Sequence, residues 1–293
     1  MSRIEVLKTY KIYSGGSFPR TESGRYYPLV INKKIVANLC LSSAKDFKNA
    51  VVSARKAQGA WAHKSAYNRN QILYRIAEVL EGRKAQFVEE LELQGITKKL
   101  AQKEVDLSID RLIYYAGWCD KYTQLFSSVN PVSGSFFNFS VPEPMGVVAA
   151  LAPQQSGLLG LVTQIASIIS GGNTCIVLAS EQLPLCAITF AEVLATSDIP
   201  GGVVNILTGN QDELLTQFAS HKDVNAVLYS GSNSKFITQI QEFSVENLKR
   251  VVLRVDGDYF DAKFESPNLI FDFQETKTTW HPIEVIGSAG AGY

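Results

Sequence analysis

The chain lacks the patterns that direct proteins to membranes or nucleic acids. No apolar run approaches about 18 uninterrupted residues, and no charged segment followed by an apolar stretch opens the sequence. Lysine and arginine together number 28, as do aspartate and glutamate, so the formal net charge is zero. A basic surface for nucleic acid or anionic lipid is not indicated. We therefore expect a cytoplasmic protein with no membrane and no nucleic-acid partner.

Cysteine and histidine are scarce, and their spacing indicates no metal site. The four cysteines form no CxxC pair, and the three histidines are far apart in the sequence. Cys175 lies within a predicted buried strand and Cys186 on the helix after it, so both thiols are expected in the core. Cys40 and Cys119 lie outside the predicted ligand-binding edge of the sheet. The sequence thus offers no metal centre and no thiol nucleophile.

From Gly146 onward, short apolar segments alternate with helical ones. The predicted strands are Val147–Leu151, Thr174–Leu178, Val203–Leu207, Ala226–Tyr229 and Val251–Val255. Helices are predicted near 157–170, 184–196, 211–219 and 233–243. Because the strands are continuous apolar runs, they are typical of a parallel sheet that helices cover on both faces. The pattern predicts an α/β fold with a Rossmann-like doubly wound parallel sheet, whose ligands bind beyond the carboxyl ends of the strands.

Strands and helices are also predicted before this sheet. The first 40 residues look strand-like, and Ser43 and Asp46 form a capping pattern at the start of a first helix. Two further helices are predicted across 69–93 and 98–127.

Extended segments flank the sheet on both sides. Val132–Val141 is extended and aromatic, and a subunit contact would account for its phenylalanines. The stretch 256–293 is predicted to hold a strand, Asn268–Phe273, a second extended segment over 275–280, and no core-forming helix. The apolar strand in this stretch packs either on the surface of another subunit or as an edge strand of the sheet in the same subunit.

Six segments together resemble the aldehyde dehydrogenase superfamily. In chain order they are KTYKIYSGGSFPRTESGR, VPEPMGVVAALAP, GGNTCIVLASEQLPL, IPGGVVNILTG, ASHKDVNAVLYSGS and NLKRVVLRVDG. Their order and spacing match the superfamily from about residue 8 to residue 258. The resemblance implies an NAD(P)-binding domain, a separate catalytic domain with a nucleophilic cysteine, and a bridging element for oligomerisation.

The resemblance also implies how the chain is divided. The superfamily's catalytic domain belongs between Asp258 and about Asn268, where this chain has only a short segment, while Val132–Val141 and FQETKTTW resemble the two bridging strands. The expected division is N-terminal strands and helices over 1–131, a bridging strand over 132–142, the Rossmann-like sheet over 143–260, and a C-terminal bridging strand with tail over 261–293.

The positions that carry the superfamily's chemistry are altered. Its nucleophilic cysteine belongs to the absent domain. Its oxyanion donor, the asparagine of a Pro-Trp-Asn motif, is replaced by Gln155, whose longer side chain moves the amide from the required position. Its general base, a glutamate, is replaced by Arg254, and a guanidinium accepts no proton near neutral pH. No catalytic residue is therefore predicted.

The cofactor positions are partly kept. Glu181 matches the carboxylate that binds the adenosine ribose in the superfamily. Gly209 matches a glycine in the turn after the third strand, and Gly231 and Ser232 match a turn on the phosphate side of the cofactor. Other positions that resemble the superfamily's cofactor contacts are bulky or apolar here: Leu178, Gln211, Leu215 and Phe236. Bulky side chains oppose the close approach of a nucleotide to the backbone. The sequence leaves NAD(P) binding open, with the first four residues as candidate contacts.

Three functions are compatible with these residues. The first is a catalytically inactive structural or regulatory subunit of a homo-oligomer, or of a hetero-oligomer with a full-length aldehyde dehydrogenase. The second is an NAD(P)-dependent aldehyde oxidoreductase whose active site a partner subunit completes. The third is a sensor that binds NAD without reacting. Arg254 favours the first.

Overall fold

In the computed structural model, residues 6–254 and 257–283 are described, and the chain begins with a small three-stranded sheet. Its strands are β1 (Thr9–Tyr10), β2 (Tyr26–Ile31) and β3 (Lys34–Cys40). β2 and β3 form a hairpin whose turn residues, Asn32 and Lys33, both have positive φ angles, 51° and 64°. Two positive φ angles give the turn the twist that matches the strands.

Five helices follow this sheet. They are α1 (Ala44–Ala62), α2 (Ala66–Gly82), α3 (Lys84–Leu93), α4 (Lys98–Trp118) and α5 (Tyr122–Phe126). The capping pattern predicted at Ser43 and Asp46 is present at the start of α1. The single helix predicted over 69–93 is wrong, because the chain turns at Arg83 after Gly82, a residue of low helix propensity. The helix predicted over 98–127 likewise divides into α4 and α5.

Two strands, β4 (Ser128–Asn130) and β5 (Phe136–Pro144), lead into a five-stranded parallel sheet. Its strands are β6 (Val147–Leu151), β7 (Thr174–Leu178), β8 (Val204–Leu207), β9 (Ala226–Ser230) and β10 (Arg250–Arg254), in the order β10–β9–β6–β7–β8. The connecting helices are α6 (Leu159–Ser170), α7 (Leu185–Ala195), α8 (Gln211–Ser220) and α9 (Ser234–Ser244). The predicted α/β fold with a doubly wound parallel sheet is confirmed.

The sheet is buried on both faces, which explains its continuous apolar strands. Successive residues of a strand point to opposite faces. Val148 and Ala150 of β6 lie in one core cluster with side chains of α2, α3, α4, α6 and α7, whereas Val147 and Ala149 lie in a second cluster with α1, α8 and α9. The sheet is therefore a rigid platform whose carboxyl edge carries the loops.

The C-terminal part departs from the prediction in one element. Asn268–Phe271 is a short helix, α10, and the strand predicted over Asn268–Phe273 is wrong. Pro267 precedes the helix, and its fixed φ suits a helical first turn. Ile270 is fully buried in the main core cluster, so the expectation of no core-forming helix is also wrong.

The chain then forms β11 (Gln274–Pro282), which pairs antiparallel with β5 over nine residue pairs. With β4 on the other side of β5, the three strands make a second sheet in the order β11–β5–β4. Among the described residues, no helix combines the length and the apolar character needed to cross a bilayer.

Candidate functional site

The carboxyl ends of β6 and β9 lie side by side at the centre of the sheet. The connections from these two neighbouring strands run in opposite directions along the sheet, β6 to β7 on one side and β9 to β10 on the other. Such a switch point leaves a crevice between the loops. All of the predicted site residues follow or end strands at this edge, but they do not share one cavity.

Glu181 and Gly209 line the same cavity. This open cavity has a volume of about 310 Å³ and is bordered also by Tyr27, Leu41, Asn210 and Glu213. The Glu181 carboxylate accepts hydrogen bonds from the backbone N–H of Gln211, the first residue of α8, and from Asn210 Nδ2 at 3.2 Å. Burial is the main cause that raises the pKa of Glu181 above its usual value. The carboxylate proposed to hold a ribose is thus already bonded to the start of a helix.

Gly209 and the loop after β6 also have structural partners. A Cβ added at Gly209 would lie 3.2 Å from the backbone nitrogen of Ser42, so the glycine permits close packing of two loops. Gln154, which precedes the altered oxyanion position, accepts a hydrogen bond from the Glu181 backbone N–H at 2.9 Å. These contacts tie the loops after β6, β7 and β8 to one another.

The apolar residues at three of the altered cofactor positions belong to the core on the α8 and α9 side of the sheet. Leu178, Leu215 and Phe236 are all buried in the second core cluster, with exposed fractions of 0, 1 and 7%. The Tyr229 ring packs edge-on against Phe236 at 6.1 Å between centroids. Apolar side chains therefore occupy space beside the loops that a nucleotide would approach.

The turn after β9 is packed against side chains. A Cβ added at Gly231 would overlap the Tyr229 side chain, so this glycine also serves close packing. Ser232 is exposed, and Asn233 caps the first N–H groups of α9 through bonds to Lys235 and Phe236. The helix start predicted to meet a phosphate is already capped.

Gln155 lies apart from these residues. Its side chain is exposed and borders a second, smaller cavity of about 130 Å³. Glu104 lines the same cavity and accepts hydrogen bonds from Ser156 Oγ at 2.9 Å and from the N–H groups of Leu158 and Leu159. The buried Glu104 carboxylate thus satisfies the first turn of α6.

Arg254, at the end of β10, is 8% exposed and forms an ion pair with Asp272 at 2.8 Å between Nη2 and Oδ2. Its guanidinium also lies over the Phe273 ring, 5.7 Å from the centroid. The position that resembles the family's general base therefore holds a buried, paired cation.

All four cysteines are buried, as the sequence predicts for Cys175 and Cys186. Burial raises the pKa of the Cys119 thiol to about 12 and raises those of Cys175 and Cys186 well above the usual value. These thiols stay protonated near neutral pH and are poor nucleophiles.

Residues 257–273, here named the strap, cover part of the carboxyl edge, and sequence reasoning missed their anchors. Arg111 of α4 is 1% exposed and donates to the carbonyls of Phe264 at 2.9 Å and Tyr259 at 3.3 Å. The Tyr259 hydroxyl donates to Ser230 Oγ at the end of β9, at 2.9 Å. Arg111 falls within a helix without a motif around it, so no pattern in the sequence pointed to this contact.

Comparison with known proteins identifies the family of this fold. The aldehyde dehydrogenase family model matches residues 22–266. The chain belongs to the aldehyde dehydrogenase family. It is 30% identical over 268 residues to DhaS of Bacillus subtilis (strain 168), whose name places it among the aldehyde dehydrogenases; the match covers 89% of this chain and 52% of DhaS.

Other family members match over a similar part of this chain. Cytosolic 10-formyltetrahydrofolate dehydrogenase of Mus musculus is 27% identical over 278 residues, which are 92% of this chain and 30% of that protein. The NAD⁺ complex of aldehyde dehydrogenase from Bacillus cereus superposes with a TM-score of 0.79 at 25% identity, over 84% of this chain and 51% of the other. The chain thus spans about half of DhaS and of the Bacillus cereus enzyme, and about a third of the formyltetrahydrofolate dehydrogenase.

Proposed function

We propose that this member of the aldehyde dehydrogenase family is catalytically inactive and acts as a structural or regulatory subunit of an oligomer. The observation that carries the proposal is the Arg254–Asp272 ion pair. A general base must be unprotonated to accept a proton, whereas a guanidinium is permanently charged. Here that cation is also buried and paired, so it is part of the folded framework.

The altered crevice supports weak or absent NAD(P) binding. A nucleotide would have to displace the bonds that Glu181 makes to the start of α8. Leu178, Leu215 and Phe236, at three further cofactor positions, are buried and apolar and offer a nucleotide no polar contact. Each displaced bond leaves a partner that must be satisfied again, which lowers affinity. The assignment of Gly209, Gly231 and Ser232 as cofactor contacts stays a prediction.

The proposed assembly surface is the β4–β5–β11 sheet. Alternate residues of β5, including Phe137 and Phe139, share one face of this sheet with Val129 of β4, which lies opposite Phe139. Val129 is 69% exposed and Phe137 is 46% exposed. A row of exposed apolar side chains on a sheet is typical of a protein contact. A second copy of this chain, or a full-length family member, would cover it.

One pair of measurements tests the proposal. Calorimetric titration with NAD⁺ should give no heat up to millimolar concentrations, and light scattering on the same sample should give the mass of an oligomer, alone or mixed with a full-length aldehyde dehydrogenase. Phe137→Ser should lower that mass, whereas Tyr74→Ser, at a site on α2 that is 50% exposed against 46% for Phe137, should not.

Other outcomes would favour the alternatives. A monodisperse monomer that ignores full-length homologues removes the subunit function. Micromolar NAD⁺ binding that Glu181→Ala weakens would support a sensor. Aldehyde turnover that Cys175→Ser or Cys186→Ser abolishes would support an enzyme completed by a partner. The cytoplasmic location stays a prediction that cell fractionation can test.

A further inference from the structure

The aromatic side chains of β11 make contacts only near its end, where Trp280 packs edge-on against Phe136 and the His281 ring stacks on Phe139. Of its nine residues only Gln274, the first, is buried, and the middle of the strand is Thr-Lys-Thr-Thr. One edge of β11 pairs with β5. The position of β11 is therefore set by that pairing, by these ring contacts near its end and by the residues through which the chain enters the strand.

Two arginines of β10 bind those entry residues. Arg250 and Arg254 are four positions apart on one strand and so project from the same face. Arg250 Nη1 donates to the carbonyls of Asp272 at 3.2 Å and Gln274 at 2.6 Å, and its Nη2 donates to Glu275 Oε1 at 2.9 Å.

Arg254, which is more buried than Arg250, contacts the same entry residues. It pairs with the Asp272 carboxylate and stacks over Phe273, so the two arginines together contact four consecutive residues, 272–275. Within the described part of the chain, Nε and Nη1 of Arg254 have no hydrogen-bond partner. Asp272 is thus the anion that compensates this buried cation.

We propose that Arg254, together with Arg250, is a positioning residue that clamps residues 272–275 and thereby sets β11 against β5. The residue at the family's general-base position holds residues 272–275 in place, because the cation at the end of β10 reaches the Asp272 carboxylate, which precedes β11. The consequence for assembly rests on the proposed function; the clamp itself does not.

Charge reversal tests the clamp in the full-length chain. The readout is hydrogen–deuterium exchange of the peptide that covers β11, since amide exchange reports local opening. Arg254→Glu places two carboxylates together and should speed exchange in 274–282 by about tenfold or more. Arg254→Glu combined with Asp272→Arg should restore exchange to within about threefold of the parent, because the pair is re-formed with opposite polarity.

A matched control lies on the same sheet. Lys277 of β11 pairs with Glu143 of β5 at 3.1 Å, but both side chains are about half exposed or more, 61% and 49%. Lys277→Glu should leave the exchange of β11 within about twofold of the parent, since exposed pairs contribute little. The contrast separates the clamp from a general effect of charge.

The outcomes are decisive in both directions. Unchanged exchange in Arg254→Glu, or no recovery in the folded double variant, overturns the clamp. If Arg254→Glu does not fold, Asp272→Asn carries the test, and it must speed exchange of β11 by at least about threefold. Light scattering on the parent chain is read separately: a monomeric parent refutes the assembly function but leaves the exchange result to decide the clamp.

Discussion

Replacing Arg111 with methionine should destabilise the protein through the strap rather than through the core. Methionine fills a similar volume, so little cavity is created. Of the three acceptors that Arg111 Nη1 and Nη2 contact, the Phe264 carbonyl keeps a bond from Tyr115 at 3.0 Å. The Thr163 hydroxyl keeps its bond to the Leu159 carbonyl.

The substitution also removes the hydrogen bond that Arg111 Nη2 donates to the Tyr259 carbonyl. Each of the two lost charge-assisted bonds, to the carbonyls of Phe264 and Tyr259, costs about 1.5 kcal/mol. We therefore expect Arg111→Met to lower the free energy of unfolding by about 3 kcal/mol.

Urea unfolding followed by circular dichroism measures this loss, and hydrogen–deuterium exchange locates it. Exchange should rise first in 257–266, because these residues depend on Arg111 for their backbone partners. Arg75→Met is the control, since Arg75 and its partner Glu78 are both about half exposed; it should change stability by less than about 0.5 kcal/mol. A loss below about 1 kcal/mol in Arg111→Met, or exchange that rises uniformly, would refute the role given to Arg111.

Two further predictions concern buried titratable groups. Burial lowers the pKa of Lys249 to about 8 from an unfolded value near 10.5, so the unfolded chain binds more protons between these pH values and the free energy of unfolding should rise with pH across that window. In urea unfolding from pH 7.5 to 10.5, the parent should gain about 2–3 kcal/mol relative to Lys249→Met. A stability difference that does not change with pH would contradict this prediction. The four cysteines should react with Ellman's reagent only after unfolding, because all are buried. A thiol of the folded protein that reacts within seconds would contradict the exclusion of a cysteine nucleophile.

The central sheet was predictable from the sequence because its strands obey one simple rule. A strand covered on both faces must be apolar throughout, and Val147–Leu151 and Thr174–Leu178 begin and end where the apolar runs do. The short C-terminal elements follow no such rule. Asn268–Phe273 contains apolar residues in a run too short to distinguish strand from helix, and in the fold Asn268–Phe271 packs against α6 as a helix.

The positions and charges of the site residues could be predicted from the sequence, but their hydrogen-bond and ion-pair partners could not. Resemblance to the family gave the positions of Glu181 and Arg254, and physical chemistry gave the charge of each. Their partners, Gln211 and Asp272, are 30 and 18 residues away and are brought close only by the fold. A list of retained and altered residues therefore cannot show that a carboxylate is already bonded or that a cation is already paired.

The residues at the altered positions have one property in common, which no single substitution shows: they contact other parts of the chain. A nucleotide site needs open space, exposed donors and small residues, all of which cost stability in the empty protein. Leu178, Leu215 and Phe236 instead extend the second core cluster, and Arg254 joins the strap to the sheet. Each of these four side chains makes its contacts within the chain. These contacts support the proposal that a cofactor binds weakly or not at all, and the exposed β4–β5–β11 sheet is the surface through which we propose that this protein acts.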